Sequence, residues 1–72
     1  MQKLDLAQVD NRHMKAEKRA IASISRGEVL EILYKDAETA ERKAHNIYQA
    51  VRGTEYNCNV RVAGAAVFVM RY

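Results

Sequence analysis

The sequence predicts a small α+β domain in which an antiparallel sheet packs against one helix. Apolar residues recur at three-to-four-residue spacing between positions 37 and 52, which is the period of a helix with one buried face. Branched and aromatic residues concentrate on either side of this segment, at 28–35 and 59–72, and such residues favour strands. A chain of 72 residues has room for one small core only.

The helix predicted over residues 37–52 has a start and a stop signal. Asp36 precedes it as a good N-cap residue, and Gly53 follows it as a glycine stop. We predict that Ile47 and Tyr48 are the main residues by which this helix contacts the core. The residues predicted to be exposed on its other side include His45 and Gln49.

The segments flanking the helix predict strands. Alternation along 28–35 sends Leu30, Ile32 and Tyr34 to one face of a strand. Residues 59–72 are the strongest strand signal in the chain, with Gly64 near the middle. We favour a hairpin that turns at Gly64 and pairs 58–62 with 65–71; the alternative is one long strand with a bulge.

Residues 15–25 are ambiguous. As a strand, Ala20–Ser25 would turn at Arg26 and Gly27 and pair with 28–35. As a helix, the segment would be capped by Asp10 and ended by Gly27, with one apolar side. That side would consist of Ala16, Ala20, Ile21 and Ile24.

The favoured element order is β-β-α-β, with the C-terminal hairpin as a variant. A third interpretation makes 27–52 one continuous helix of the coiled-coil type, but the cap-like Asp36 argues against it. We divide the chain into an N-terminal arm, residues 1–14, and a single α+β domain, residues 15–72. The arm is either flexible or docked through its apolar residues. These are Leu4, Leu6 and Val9.

No pattern in the sequence indicates catalysis, a cofactor or a metal. The one cysteine, Cys58, has no flanking motif, and His45 is the one candidate base for it. His13 and His45 lack ligands at metal-binding spacing. The lone cysteine fits a reducing, cytoplasmic setting, and no apolar run reaches the length of a membrane span. We therefore expect a non-enzymatic cytoplasmic protein.

Both faces of the C-terminal strand segment are apolar, which predicts self-association. One helix can cover only one of these faces, so the other should contact a second copy, another protein or the arm. We assign the self-association surface to four residues, Ala63, Ala65, Val67 and Val69.

Charge is arranged in blocks. Residues 11–26 are basic, residues 28–41 are acidic, and the net charge is +3. Such blocks indicate complementary faces within or between chains; the alternative is a basic surface for nucleic acid or another anionic partner. The candidate contacts to an anionic partner are Arg12, Lys15, Lys18, Arg19 and Arg26.

The function predicted from these features is protein binding, and the expected partners are a second copy and an unidentified protein. In size and layout the chain resembles the small single-domain proteins encoded by phages and other mobile elements, which implies an inhibitor or adaptor. A small basic nucleic-acid-binding protein is the alternative.

Overall fold

The computed structural model describes residues 1–9 and 13–72. The elements run β1 (Gln2–Asp5), α1 (Lys15–Ser23), β2 (Val29–Leu33), α2 (Ala37–Val51), β3 (Cys58–Ala63) and β4 (Ala66–Arg71). The strands form one mixed sheet in the order β1-β2-β4-β3, and both helices pack on the same face of it. The predicted α+β class, with a sheet packed on the helix at 37–52, is confirmed.

Helix α2 follows its sequence signals at both ends. The Asp36 carboxylate accepts a hydrogen bond from the Thr39 amide at 2.7 Å, and hydrogen bonding to the Thr39 side chain, together with this amide bond, lowers the pKa of Asp36. Gly53 ends the helix with φ of 79°, a conformation that favours glycine. Ile47 is fully buried, as predicted.

The prediction for Tyr48 is wrong, because 51% of this residue is exposed. Viewed down the axis of α2, the buried residues centre on the direction of Ala40, and Lys43 marks one side of this buried face. Tyr48 lies beyond the other side of the buried face. His45 and Gln49 are exposed, as predicted.

Residues 15–23 form helix α1, which corrects the interpretation of 15–25 as a strand. Glu17, Ile21 and Ile24 are all buried, and their spacing of four and three residues fits a helical face. Met14 occupies the N-cap position without a side-chain bond, while the predicted cap, Asp10, lies outside the described residues. The continuous helix over 27–52 does not form, because β2 occupies its first part.

The N-terminal arm contributes a strand. β1 pairs with β2 in parallel, with Leu4 opposite Ile32, so the sheet is mixed and not purely antiparallel. Leu6 is buried and its amide donates to the Leu33 carbonyl at 2.8 Å. Val9 is exposed. The arm thus docks through two of its three apolar residues.

The C-terminal segment is a hairpin, as predicted. Ala63 pairs with Ala66 across a two-residue turn at Gly64 and Ala65, and Gly64 has φ of 59°. A two-residue hairpin turn of this kind favours glycine at its first position. The two strand ends beside the turn lie one residue after the predicted positions, whereas the outer ends, Cys58 and Arg71, are as predicted.

The core lies between the helices and one face of the sheet. Leu30 pairs with Val69 and Ile32 with Val67, and all four side chains are fully or almost fully buried. The side chains that meet them from the helices are Ile21, Ala40, Ala44, Ile47 and Val51. Alternation along the strands then sends the intervening residues to the opposite face, which no helix covers in the described part of the chain.

Candidate interaction surfaces

The predicted self-association residues divide between the core and the hairpin turn. Val67 and Val69 are fully buried under the helices, so the structure corrects their assignment to an outer surface. Ala63 is exposed at the end of β3, and Ala65 lies in the turn. The helices cover the face that carries Val67 and Val69, and no described element covers the opposite face.

We call the uncovered side the open face. Its central strands, β2 and β4, present six residues to this side, and every one except Glu31 is apolar. The apolar residues are Val29, Leu33, Ala66, Phe68 and Met70. Met70 is exposed, while Phe68, Val29 and Leu33 are half-buried. The solvated face of an antiparallel sheet is usually polar, so this stripe is unusual.

Charged residues border the stripe on both sides. Glu31 lies opposite Phe68 in the sheet, and its carboxylate is 3.6 Å from the Lys3 ammonium of β1. Arg61 of β3 lies on the other side of Phe68 and is exposed. Lys3 is largely exposed, so its ion pair with Glu31 adds little stability, about 0–1 kcal/mol. The open face therefore has an apolar stripe that contains one ion-paired carboxylate, Glu31, and a charged rim formed by Lys3 and Arg61; apolar centres with polar rims are usual in protein interfaces.

The predicted anionic-partner residues lie mainly on α1. Lys15, Lys18 and Arg19 are all exposed, and their spacing of three and four residues puts them on one side of the helix. Arg26 is exposed in the turn that follows, whereas Arg12 lies outside the described residues. The two ion pairs found among the described residues, Lys3 with Glu31 and Lys43 with Glu17, involve none of these cations. The proposed pairing of the basic and acidic blocks is thus not seen there.

A buried polar cluster links α1, β2 and α2. The Glu17 carboxylate is 3.1 Å from the Lys43 ammonium and accepts a hydrogen bond from the Tyr34 hydroxyl at 3.0 Å. The same ammonium donates to the His13 carbonyl at 3.2 Å. Burial and the Glu17 carboxylate raise the pKa of Tyr34 well above its usual range, so Tyr34 remains a neutral donor. The cluster holds three elements together beneath the surface.

The sequence analysis missed this cluster, although a signal existed. Glu17 lies four residues before Ile21, and Lys43 lies four residues before Ile47. Each charge thus occupies the apolar side of its helix. A carboxylate and an ammonium on two buried faces can be accommodated if they pair. Their positions could have predicted the contact between α1 and α2.

Cys58 and His45 do not form a reactive pair. His45 is exposed on the outer side of α2, whereas Cys58 lies half-buried on the helix-covered side of the sheet. Burial raises the pKa of the Cys58 thiol, and the Arg71 guanidinium offsets only part of this effect. The thiol is therefore held in its unreactive, protonated form.

Within residues 1–9 and 13–72, no three side chains of the types that hold metals come together. No helix in this part of the chain has the length and apolar character needed to cross a membrane. Comparison with known proteins gives no match to any family model, curated protein or solved structure.

Proposed function

We propose that the chain is a small non-enzymatic protein-interaction domain that self-associates and presents its open face to a protein partner, as an inhibitor or adaptor would. The observation that carries this proposal is the apolar stripe along β2 and β4. The two described helices cover one face of the sheet, and the other face carries Phe68 and Met70 on its central strand β4. The free energy of the system falls when a partner removes apolar side chains in this position from water.

The charged rim supports the interpretation that the open face binds a protein and is not merely an apolar face left exposed to solvent. Lys3 lies on one side of the stripe, where it pairs with Glu31 inside it, and Arg61 lies on the other side. Charges at the rim of an interface add little to affinity, but they select partners and orient them. The open face can therefore distinguish one protein surface from another.

Replacing Phe68 with lysine is expected to abolish partner capture. A lysine at this position lies beside Glu31 on the solvated face, so the fold should persist. Tyr48→Lys is the control, because it also replaces an aromatic ring with a charge, at an exposed position of α2 away from the open face. The measurement is a pull-down from a nuclease-treated lysate of the source cells with each tagged protein.

Proteins bound by the parent chain and by Tyr48→Lys should be missing from the Phe68→Lys sample. Equal capture by the two variants would contradict the assignment of the open face. Loss of all captured material on nuclease treatment would instead favour nucleic-acid binding.

Nucleic-acid binding is the second candidate, favoured by the exposed cations of α1. Three cations on one helix supply few phosphate contacts, and each contact contributes roughly one power of the salt concentration to the affinity. We therefore expect weak binding of DNA or RNA at about 0.15 M salt. Fluorescence anisotropy titrations at several salt concentrations measure it.

The variant for this test is Lys18→Ala with Arg19→Ala. Its control is Lys35→Ala with Arg42→Ala, which removes the same charge from exposed positions outside α1. Submicromolar affinity that falls in the first variant and survives in the control would make nucleic-acid binding the main function.

A further inference from the structure

The outer edge of β3 carries unpaired backbone groups. β3 is the last strand of the sheet, and no other described strand pairs with its outer side. The Tyr72 amide donates to the Asn57 carbonyl at 2.9 Å, and hydrogen-bonded pairs alternate from there along an antiparallel ladder. The residues of β3 bonded to β4 are thus Asn59, Arg61 and Ala63. The residues whose N–H and C=O groups point outward are Cys58, Val60 and Val62.

The two edges of the sheet differ in how well they are protected. β1 has four residues, and its charged side chains include Lys3 and Asp5. A short and charged edge strand discourages pairing with another chain. β3 has six residues, contains no proline, and carries Arg61 as its one charge. β3 is therefore the edge more open to a further strand.

A second copy of the chain fits this edge best in one register. An antiparallel pair of β3 strands with its two-fold axis at Val60 brings the three outward-pointing residues of each strand into bonding positions. Cys58 then lies opposite Val62 of the second copy. An axis at Arg61 would place two arginines directly opposite each other, which is destabilising. An axis at Asn59 would leave Val62 without a bonding partner.

The side chains along this edge agree with that register. Arg61 would lie opposite Asn59 of the second copy, a neutral hydrogen-bonding residue. On the helix-covered side, Val62 is 41% exposed in the single chain, and pairing would cover it with Cys58 of the second copy. The edge is therefore complementary to itself in backbone bonding and apolar contact, and this register places no two like charges directly opposite each other.

The geometry points to β3 as the joint between two copies of this chain, paired antiparallel about Val60 so that their sheets become one continuous sheet. This inference rests on the self-association in the proposed function and names the surface that performs it. The joint leaves the open faces of both copies on the same side, where together they form a wider surface for the partner protein.

Val62→Pro tests the joint because proline removes one outward-pointing N–H. That group makes no bond to β4, and edge strands tolerate proline at such positions. Val62→Thr is the control, since threonine keeps both the N–H and the branched shape. Sedimentation should show the dimer dissociation constant rising at least about tenfold with proline and changing little with threonine. Circular dichroism should show the fold retained in both variants.

Cross-linking tests the register even if proline unfolds the chain. Asn59→Cys and Arg61→Cys, each combined with Cys58→Ala, would place cysteines on opposite members of a close pair, about 4.5 Å apart at their Cα atoms. A mixture of the two proteins should form a mixed disulfide under mild oxidation much faster than either protein forms a dimer alone.

The outcomes separate the inference from the proposed function. A parent chain that remains monomeric at every concentration overturns both the joint and the self-association. If the parent chain dimerises but the dissociation constant is unchanged by Val62→Pro and no mixed disulfide is preferred, the joint alone is overturned. Self-association would then proceed through another surface. A proline-sensitive dimer or a preferred mixed disulfide supports the joint.

Discussion

Replacing Glu17 with alanine is expected to destabilise the fold by about 3–5 kcal/mol, which is comparable to the whole stability of a domain this small. The substitution would leave the Lys43 ammonium buried beside an apolar side chain, without the carboxylate that lies 3.1 Å away. It would also remove the acceptor of the Tyr34 hydroxyl. Urea denaturation followed by circular dichroism would measure the loss.

An apolar replacement of the whole cluster provides the control. Glu17→Leu combined with Lys43→Met and Tyr34→Phe removes the charges and the hydroxyl together, and such exchanges are often neutral or stabilising. The triple variant should therefore fold when Glu17→Ala does not. If Glu17→Ala were as stable as the parent chain, the buried ion pair would not have the role assigned to it.

Replacing Ile47 with alanine is expected to cost about 2–4 kcal/mol. Ile47 is fully buried between α2 and the sheet, so its removal leaves a cavity in a core with few large side chains. Tyr48→Ala is the matched comparison on the neighbouring residue, and it should cost much less because Tyr48 is half exposed. Thermal and urea unfolding of the two variants would measure both values.

A larger loss for Tyr48→Ala than for Ile47→Ala would contradict the orientation of α2 in the structure. The sequence pattern alone did not show which of Ile47 and Tyr48 is buried, because both lie within the apolar half of a helical projection. Only the position of the helix on the sheet makes one a core residue and the other a surface residue.

The parts of the fold that were predicted correctly have local signals. Asp36 and Gly53 mark the two ends of α2, and Gly64 marks the hairpin turn. Alternation places Leu30 and Ile32 on the same side of β2. Each of these signals acts over a few residues, so it can be recognised without knowing what lies nearby in space.

The parts that were predicted incorrectly depend on distant contacts. Helix α1 buries Glu17, and that burial requires Lys43 and Tyr34 from later elements. β1 pairs in parallel with β2, which begins at Val29. The two strands are far apart in sequence and are not joined by a hairpin turn, so no local turn signal predicts their pairing. Local propensity could not choose between strand and helix for residues 15–25 without this information.

The candidate surface was predictable only in part. The sequence showed that both faces of the β4 segment are apolar, but it did not show which face the helices would cover. α2 and α1 select Val67 and Val69 for the core, and Phe68 and Met70 are left outside. The prediction of an uncovered apolar face therefore stands, with its residues exchanged for those on the opposite side of the strand.

The four residues of β1 also act as a shield for β2. β2 has the sequence Val-Leu-Glu-Ile-Leu, the kind of short, weakly charged, strand-forming segment that promotes intermolecular aggregation when its edge is uncovered. Among the described strands β1 pairs with β2 alone, so its detachment would expose the edge of β2 and leave the pairing of the other strands intact. The shelf life of concentrated protein would then depend on how often β1 detaches, and a variant with an unchanged melting temperature could still aggregate faster.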